Sequence, residues 1–238
     1  MTGAIPAATW DAIDWAAAEA SLTRQGYARL PGLVDRARAL ALAALWDMES
    51  GFRSRVIMAR HGYGQGEYRY FARPLPPLVA ALRAGLYSPL AAIANRWQEA
   101  LGESLRFPPT LAGLERRCRA AGQVKPTPLL LDYGPGDFNC LHQDVYGEVF
   151  FPLQAAILLS RPGEDFEGGQ FVLVEQRPRQ QSRPMVVALA QGDAVVFAGR
   201  DRPRNGKRGV HRVVLRHGVS EVIAGRRRTL GLIFHDAR

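Results

Sequence analysis

Residues 129–144 read LLLDYGPGDFNCLHQD, an apolar run followed by a glycine turn and then by two residues of metal-binding type. The run at 129–133 is short and bounded by turn residues, which predicts a buried strand. His142 and Asp144 belong to the only H-x-D sequence in the chain. Because residues i and i+2 of a strand point to the same face, this imidazole and this carboxylate can reach one divalent ion together.

A third metal ligand must come from elsewhere, and two histidines lie near the carboxyl-terminal end. His217 follows a predicted strand at 210–215, whereas His211 lies inside that strand pattern. Two histidines and one carboxylate form the facial triad of non-haem Fe(II) oxygenases, which leaves metal positions open. Zinc hydrolases use the same residue types, so the ligands alone do not select the metal.

Three consecutive arginines precede the last predicted strand, 229–234. An arginine beside the metal could hold a carboxylate ligand through two parallel hydrogen bonds. Strand alternation places Arg226 and Arg228 on one face and Arg227 on the other. Thr229, Gly231 and Ile233 are small or apolar and so mark the inward-facing positions, which favours Arg227 as the inward arginine.

These motifs and the turns between them resemble the Fe(II)/2-oxoglutarate dioxygenase superfamily, in particular its prolyl 4-hydroxylase-like branch. The similarity covers 129–234 and follows the order of the family's motifs. The whole chain is also similar to an uncharacterised bacterial branch grouped with nucleic-acid oxygenases that demethylate damaged DNA. The motifs that match the dioxygenase superfamily within 129–234 are Tyr133-Gly134-Pro135-Gly136-Asp137, His142-Gln143-Asp144, Glu167-Gly168-Gly169, Gln191-Gly192-Asp193, His217 and Arg227.

The resemblance implies an enzyme that uses Fe(II), 2-oxoglutarate and O2 to hydroxylate a substrate C–H bond, with release of succinate and carbon dioxide. It assigns iron binding to His142, Asp144 and His217. In this family the third ligand precedes the arginine motif by a characteristic spacing. Only His217 has that spacing to Arg227, which favours His217 over His211 as the third ligand.

The resemblance also implies the cosubstrate contacts. Arg227 would pair with the far carboxylate of 2-oxoglutarate, while Tyr133 and Gln154 are candidate hydrogen-bond partners. One position departs from the prolyl hydroxylase pattern, because the family's helper tyrosine on the strand after the iron ligands is here aliphatic, Ile157 or Leu158. Part of the cosubstrate contact must therefore differ.

The remaining periodicity predicts an α+β protein of one domain, 1–238. Short strands without intervening helices indicate a double-stranded β-helix, or jelly-roll, core at 125–238. Residues 1–124 are expected to be a mainly helical support and lid region packed on that core. The predicted strands lie at 129–133, 149–159, 169–174, 185–189, 194–198, 210–215 and 229–234. The predicted helices lie at 10–23, 33–46 and 78–101, the last with a break at Ser88-Pro89.

The composition, 47% hydrophobic and 22% charged, excludes disordered and collagen-like chains. No stretch approaches the roughly 18 uncharged apolar residues of a membrane-spanning helix, and acidic residues interrupt the first twenty, where a signal peptide would be apolar. Cys118 and Cys140 are too few for a disulfide framework. We therefore expect a cytoplasmic protein without membrane contact.

The positive charge is regional. The net charge is +9, and residues 176–228 contain thirteen basic residues against three acidic ones. This excess suggests DNA or RNA as a partner, although solvated surface charge is the alternative. The segment 53–73 interleaves arginine with aromatic residues, which could stack bases or could form a lid strand with core aromatics. The polar stretch 199–209 is interpreted as a hairpin arm or a disordered loop.

The sequence thus favours an alkylated nucleic-acid base as the substrate, whose N-methyl carbon would leave as an aldehyde after hydroxylation. A protein side chain or a small metabolite is the alternative substrate. A hypothesis of a different class is a non-catalytic jelly-roll module that binds nucleic acid. The triad and the arginine anchor argue against this module, because a binding module needs neither.

Overall fold

The computed structural model describes residues 5–177, 180–206 and 209–238, within which five α-helices and fourteen β-strands are assigned. The helices are α1 (Ala7–Asp11), α2 (Trp15–Gln25), α3 (Arg36–Ala44), α4 (Pro77–Ala100) and α5 (Leu111–Ala120). The first seven strands are β1 (Tyr27–Leu30), β2 (Phe52–Ile57), β3 (Glu67–Phe71), β4 (Leu129–Tyr133), β5 (Asn139–His142), β6 (Leu153–Leu158) and β7 (Phe166–Gly168). The others are β8 (Phe171–Gln176), β9 (Arg183–Val187), β10 (Ala194–Ala198), β11 (Asp201–Gly206), β12 (Gly209–Val219), β13 (Val222–Gly225) and β14 (Arg227–Ile233).

Two antiparallel sheets face each other across a cavity. The major sheet has the strand order β1-β10-β6-β14-β4-β3-β2, and the minor sheet has the order β11-β12-β8-β9. Side chains of both sheets line the cavity, among them Leu131 from the major sheet and Phe171 from the minor sheet. This arrangement confirms the predicted α+β fold with a double-stranded β-helix core.

Strand β5 lies beside β12 at the edge of the minor sheet. It is four residues long and pairs with β12 at His142–His217 and Asn139–Val219, with a register shift between the two pairs. A single bridge, Gly64–Asn139, links β5 to the loop before β3. In the described part of the chain, β5 is therefore held by few backbone contacts.

Strand β12 is longer than the sequence predicted. The expected strand ended at residue 215, but β12 continues to Val219 because β8 pairs with it as far as Phe171. His217 therefore lies within a strand and not in the loop that follows it. Two predicted strands, 129–133 and 194–198, coincide with β4 and β10.

The amino-terminal region supplies three strands to the major sheet, whereas the sequence indicated a strand at 53–73 only as one of two interpretations. Strand β1 forms one edge through β10, and the β2–β3 hairpin extends the other edge through β4. Tyr70 and Phe71 are buried. The segment 53–73 is thus a sheet hairpin with core aromatics, so strands accompany the helices of this region.

Helix α4 runs through Pro89 without the predicted break. An internal proline costs a helix about 3 kcal/mol, and burial of the neighbouring Leu86, Tyr87 and Leu90 offsets that cost. By length and composition, α4 also meets a criterion for a membrane-spanning helix that tolerates two charged residues, although Arg83 and Arg96 leave no run of 18 uncharged residues in it. Half of its apolar window is buried inside the fold, and its buried Arg83 pairs with Asp236.

Three arginines of the basic region form ion pairs with one acidic residue just outside it. Glu175 forms ion pairs with Arg177, Arg202 and Arg204. Arg202 is buried and also donates to the carbonyl of Thr23 at the end of α2 (2.7 Å). Arg202 is therefore a structural residue and not a phosphate contact. The hairpin arm predicted at 199–209 is present as β11 and β12. Residues 207–208, and Arg179 of the basic region, lie outside the described residues.

We expect Arg202→Ser to lower the free energy of unfolding by about 3 kcal/mol, because it leaves Glu175 buried without its buried partner. Urea unfolding would measure this loss. Arg204→Ser is the matched control, since Arg204 pairs with the same carboxylate but its side chain is 30% exposed, against 1% for Arg202. Equal losses in the two variants would contradict a structural role specific to Arg202.

Candidate active site

The cavity between the two sheets has a volume of about 520 Å³. Its floor is the inner face of the major sheet, and its opposite wall comes from β5, β12 and the loop after β5. Tyrosines contribute much of its surface, together with aliphatic side chains and few charged groups. The lining includes Tyr63, Tyr68, Tyr70, Tyr133, Tyr146, Leu129, Leu131, His142, Asp144, Gln154, His217 and Arg227.

His142, Asp144 and His217 meet at one wall of this cavity. His142 and His217 are directly opposite each other on β5 and β12, with ring centroids 4.2 Å apart. The Nε2 atom of His217 lies 3.3 Å from Asp144 Oδ2, and the Nε2 atom of His142 lies 3.7 Å from Asp144 Oδ1. One ligand atom from each residue lies within 4.8 Å of the others, so the group could hold one metal ion.

The protonation of these side chains suits a divalent cation. His142 Nδ1 donates to the carbonyl oxygen of Cys140 (2.8 Å), which leaves the Nε2 lone pair free for a metal. Burial and the neighbouring His217 lower the pKa of His142 and favour the neutral ring. Burial alone would raise the pKa of Asp144, but the hydrogen bond and charge of His217 hold it well below its usual range.

The alternative third ligand lies elsewhere. His211 is exposed on the β11–β12 hairpin, opposite Arg204, and does not line the cavity. Because His217 is on the inner face of the minor sheet and His211 is near the hairpin tip, only His217 is placed beside His142 and Asp144.

Arg227 occupies the cavity floor as a fully buried cation. Its Nη1 donates to Thr229 Oγ1 (2.7 Å), and its Nε has no hydrogen-bond partner among the described residues. Burial lowers the pKa of Arg227 to about 10. The guanidinium lies 5.6 Å from the ring centre of Tyr133 and 5.9 Å from that of Phe166. A carboxylate bound in the cavity would supply the missing charge partner.

The neighbouring arginines point to the other face of β14. Arg226 and Arg228 both form ion pairs with Asp132, and Arg228 also contacts Asp47. Strand alternation therefore places Arg227 alone of the three in the cavity, as the sequence pattern favoured.

Comparison with known families gives this geometry a context. The model of the Oxygenase-NA family, described as an oxygenase catalysing oxidative methylation of damaged DNA, matches residues 66–237. The chain belongs to this family. The uncharacterized protein MT2286 of Mycobacterium tuberculosis is 47% identical to this oxygenase over 167 residues, which are 70% of this chain and 72% of that protein.

Solved structures of 2-oxoglutarate and Fe(II)-dependent oxygenases share the fold of this oxygenase. A prolyl hydroxylase of Trichoplax adhaerens superposes with a TM-score of 0.59 at 13% identity, covering 99% of this chain and 96% of that one. An oxidoreductase of the 2OG-Fe(II) oxygenase family from Burkholderia pseudomallei gives 0.55 at 17% identity, covering 95% and 94%. Family and fold together place the chain in the 2-oxoglutarate and Fe(II)-dependent oxygenase superfamily. It is therefore an enzyme, and the alternative of a non-catalytic binding module is set aside.

Two further residues predicted to contact the cosubstrate line the cavity of this oxygenase at different ends. Tyr133 is buried beside Arg227, and its hydroxyl accepts a hydrogen bond from Asn139 Nδ2 (3.3 Å). Gln154 is opposite Ile233, six residues along β14 from Arg227, which corresponds to roughly 20 Å at the usual strand rise. Its buried Nε2 has no partner among the described residues. Tyr133 and Gln154 therefore cannot serve the same end of a small ligand.

The strand register distinguishes between Ile157 and Leu158 as the aliphatic residue at the position of the family's helper tyrosine. Leu158 is opposite Thr229 and belongs to the same small hydrophobic cluster as Tyr133. Ile157 instead packs in the main core, the large cluster of buried residues that includes Leu82 and Leu153. In the same row across the major sheet, Tyr68 is opposite Leu131 and lines the cavity. A phenol is thus present in this row, but it comes from β3.

Three tyrosines of the cavity were not among the predicted site residues. Tyr70 donates to the hydroxyl of Tyr146 (2.9 Å), and the Tyr146 hydroxyl donates to Asp144 Oδ1. Tyr68 contacts Tyr70 edge to face, with ring centroids 5.4 Å apart. Two sequence signals could have identified them. Tyr146 is only two residues after Asp144, and Tyr68 and Tyr70, two residues apart on one strand, point to the same face.

The second glycine of the Glu167-Gly168-Gly169 motif makes room for Arg227. Gly169 has a φ of +57°, and a Cβ there would lie 2.8 Å from Arg227 Cδ and 2.9 Å from Val222 Cγ2. A larger residue would therefore displace the arginine side chain. This contact gives the motif a physical role in the site.

We expect Gly169→Ala to raise the KM for 2-oxoglutarate about tenfold, since small displacements of a binding group cost affinity steeply. Backbone strain should also lower the free energy of unfolding by about 1 to 2 kcal/mol. Gly163→Ala separates the two effects, because Gly163 has a φ of +78° and a Cβ added there would meet nothing within 4 Å. A raised KM in both variants would show that strain alone, and not contact with Arg227, is responsible.

Proposed function

We propose that this oxygenase hydroxylates a C–H bond on an alkylated nucleic-acid base, most simply an N-methyl group, with release of succinate and carbon dioxide. The observation that carries the proposal is one cavity that combines the His142, Asp144 and His217 cluster with the buried cation of Arg227, which has no acidic partner among the described residues. A metal site needs the first feature and a dianionic cosubstrate needs the second.

The donor set fits Fe(II) and 2-oxoglutarate. His142 Nε2, His217 Nε2 and an Asp144 oxygen would hold the metal, and Arg227 would fix the far carboxylate of the cosubstrate. Bound together, Fe(II) and 2-oxoglutarate supply the oxidation of the substrate with O2, and decarboxylation yields succinate. The protein's own contribution is to leave metal positions open and to bind the anionic cosubstrate in a cavity lined by tyrosine and aliphatic side chains.

The remaining cavity surface favours a flat, uncharged substrate group. Tyr68, Tyr70 and Tyr146 and the aliphatic Leu129 line the space beside the triad. Enzymes that modify bases take the base out of the stack and hold it between aromatic or apolar side chains. A methylated base meets these requirements, and its N-hydroxymethyl product would break down with release of formaldehyde.

The mouth of the cavity has features suited to a nucleic-acid strand. Tyr63 lines the mouth, is 51% exposed and stacks on His61, with ring centroids 5.3 Å apart and planes at 23°. Arg60 is exposed in the same turn. Exposed aromatic rings next to cations are the usual means of holding single-stranded bases and phosphates. The description of the family model, which names damaged DNA, supports the same substrate class.

The experiment is a titration under anaerobic conditions with Fe(II) and 2-oxoglutarate, followed by aerobic assays of succinate and formaldehyde. Substrates are single-stranded oligonucleotides with one N-methylated adenine or cytosine, and the same sequences without the methyl group are the control. The proposal predicts equimolar succinate and formaldehyde with the methylated oligonucleotides alone. Stimulation by a peptide or a metabolite, with none by any oligonucleotide, would overturn the substrate and leave the oxygenase chemistry intact.

A further inference from the structure

The side chain of Asp144 has both carboxylate oxygens in defined surroundings. Oδ2 faces His217 Nε2 at 3.3 Å, while Oδ1 accepts the hydroxyl hydrogen of Tyr146 and lies farther from its histidine, 3.7 Å from His142 Nε2. An ionised carboxylate can only accept hydrogen bonds, so Tyr146 must be the donor. The Tyr146 oxygen is then free to accept from Tyr70, at 2.9 Å.

The chain of hydroxyls is anchored in the fold. Tyr70 is buried on the inner face of β3, and its ring contacts Tyr146 edge to face at 6.3 Å between centroids. The guanidinium of Arg53 lies 4.3 Å above the Tyr70 ring, and Arg53 Nε donates to the carbonyl of Pro126 (2.7 Å). The direction of the Asp144 side chain is thus linked to the major sheet through two phenols.

We propose that Tyr146 and Tyr70 are positioning residues that occupy Asp144 Oδ1, so that the carboxylate offers a single oxygen, Oδ2, to the metal. This inference rests on the proposed iron site. A facial triad leaves metal positions open, and the cosubstrate and oxygen would need those positions. A carboxylate that turned to bind through both oxygens would take one of those positions.

Partners that orient a metal-binding carboxylate are worth about ten- to a hundredfold in metal affinity or activity. Tyr146→Phe removes only the donor to Asp144 and keeps the ring. Tyr70→Phe removes the hydrogen bond that orients Tyr146 and keeps the donor to Asp144. Both variants should therefore weaken metal binding, Tyr146→Phe more strongly than Tyr70→Phe.

The matched control is Tyr87→Phe. The Tyr87 hydroxyl is also buried and donates to the carbonyl of Pro108 (2.9 Å), but Tyr87 packs in the main core and does not line the cavity. The Tyr87→Phe variant therefore measures the general effect of removing one buried phenol hydroxyl. A merely structural role for Tyr146 would give the same result as this control.

The probe is Co(II), titrated anaerobically into the full chain and followed by calorimetry and by its visible absorption, with 2-oxoglutarate added second. We expect Tyr146→Phe to weaken Co(II) binding at least tenfold and to change the Co(II) absorption spectrum. Tyr70→Phe should change both in the same direction by about threefold, and Tyr87→Phe should match wild type. Wild-type affinity and spectrum in Tyr146→Phe would overturn the inference alone, whereas failure of the wild-type protein to bind Co(II) would overturn the iron site itself.

Discussion

Alanine in place of His142, Asp144 or His217 is expected to reduce 2-oxoglutarate turnover to background and to abolish stoichiometric iron binding. Each residue contributes one ligand atom to a cluster whose atoms lie within 4.8 Å of one another. Removal of one ligand from a three-ligand site leaves a weak two-ligand site, because no other His, Cys, Asp or Glu of the described residues joins that cluster. Metal analysis of the reconstituted proteins and a succinate assay measure the two losses.

His211→Ala is the control for this series, since His211 is exposed and lies on the hairpin away from the cavity. It should retain both iron and turnover. Iron loss in His211→Ala, together with iron retention in His217→Ala, would move the third ligand to the hairpin and contradict the placement of β12.

Arg227→Met should raise the KM for 2-oxoglutarate by roughly 30- to 1000-fold, equivalent to about 2 to 4 kcal/mol for a lost charge pair in a desolvated pocket. Iron content should remain near wild type, because Arg227 is not part of the metal cluster. Without 2-oxoglutarate the variant should be at least as stable as wild type, since it removes a buried cation that has no acidic partner among the described residues. Turnover kinetics and urea unfolding of the ligand-free protein test the two statements together.

Arg226→Ala and Arg228→Ala control for the loss of positive charge directly beside Arg227 in the chain. Both side chains point away from the cavity and pair with Asp132 of β4. Each variant therefore leaves the Asp132 carboxylate with one arginine partner. Their KM for 2-oxoglutarate should change less than threefold. A large effect in Arg228→Ala would mean that the strand register is displaced by one residue.

The features that sequence reasoning predicted well are local. Alternation along 227–233 was enough to turn Arg227 inward, and the i, i+2 spacing was enough to pair His142 with Asp144. The apolar runs of β4 and β10 gave their bounds because glycine, proline or aspartate follows or precedes them directly. In each case the deciding interaction lies within a few residues of the pattern.

The features that it missed depend on contacts between distant segments. The positive charge of 176–228 looked unbalanced because two of its acidic partners, Asp132 and Glu175, precede that window in the chain. Tyr70 reaches Asp144 only because β3 pairs with β4, a register that no short pattern encodes. Pro89 was expected to end a helix, but burial of both flanking turns outweighs its local cost.

The short strand β5 carries one metal-binding residue and leads directly to another, while their third partner is on β12. A bound ion would join two segments that otherwise share few backbone hydrogen bonds. Ligands that bind only the closed form suppress local opening in proportion to their concentration over the dissociation constant. Amide hydrogen exchange in 139–146 should therefore slow when metal is added, while exchange in β4 and β14 stays constant, and mass spectrometry of peptic fragments would read the occupancy of the site without any turnover.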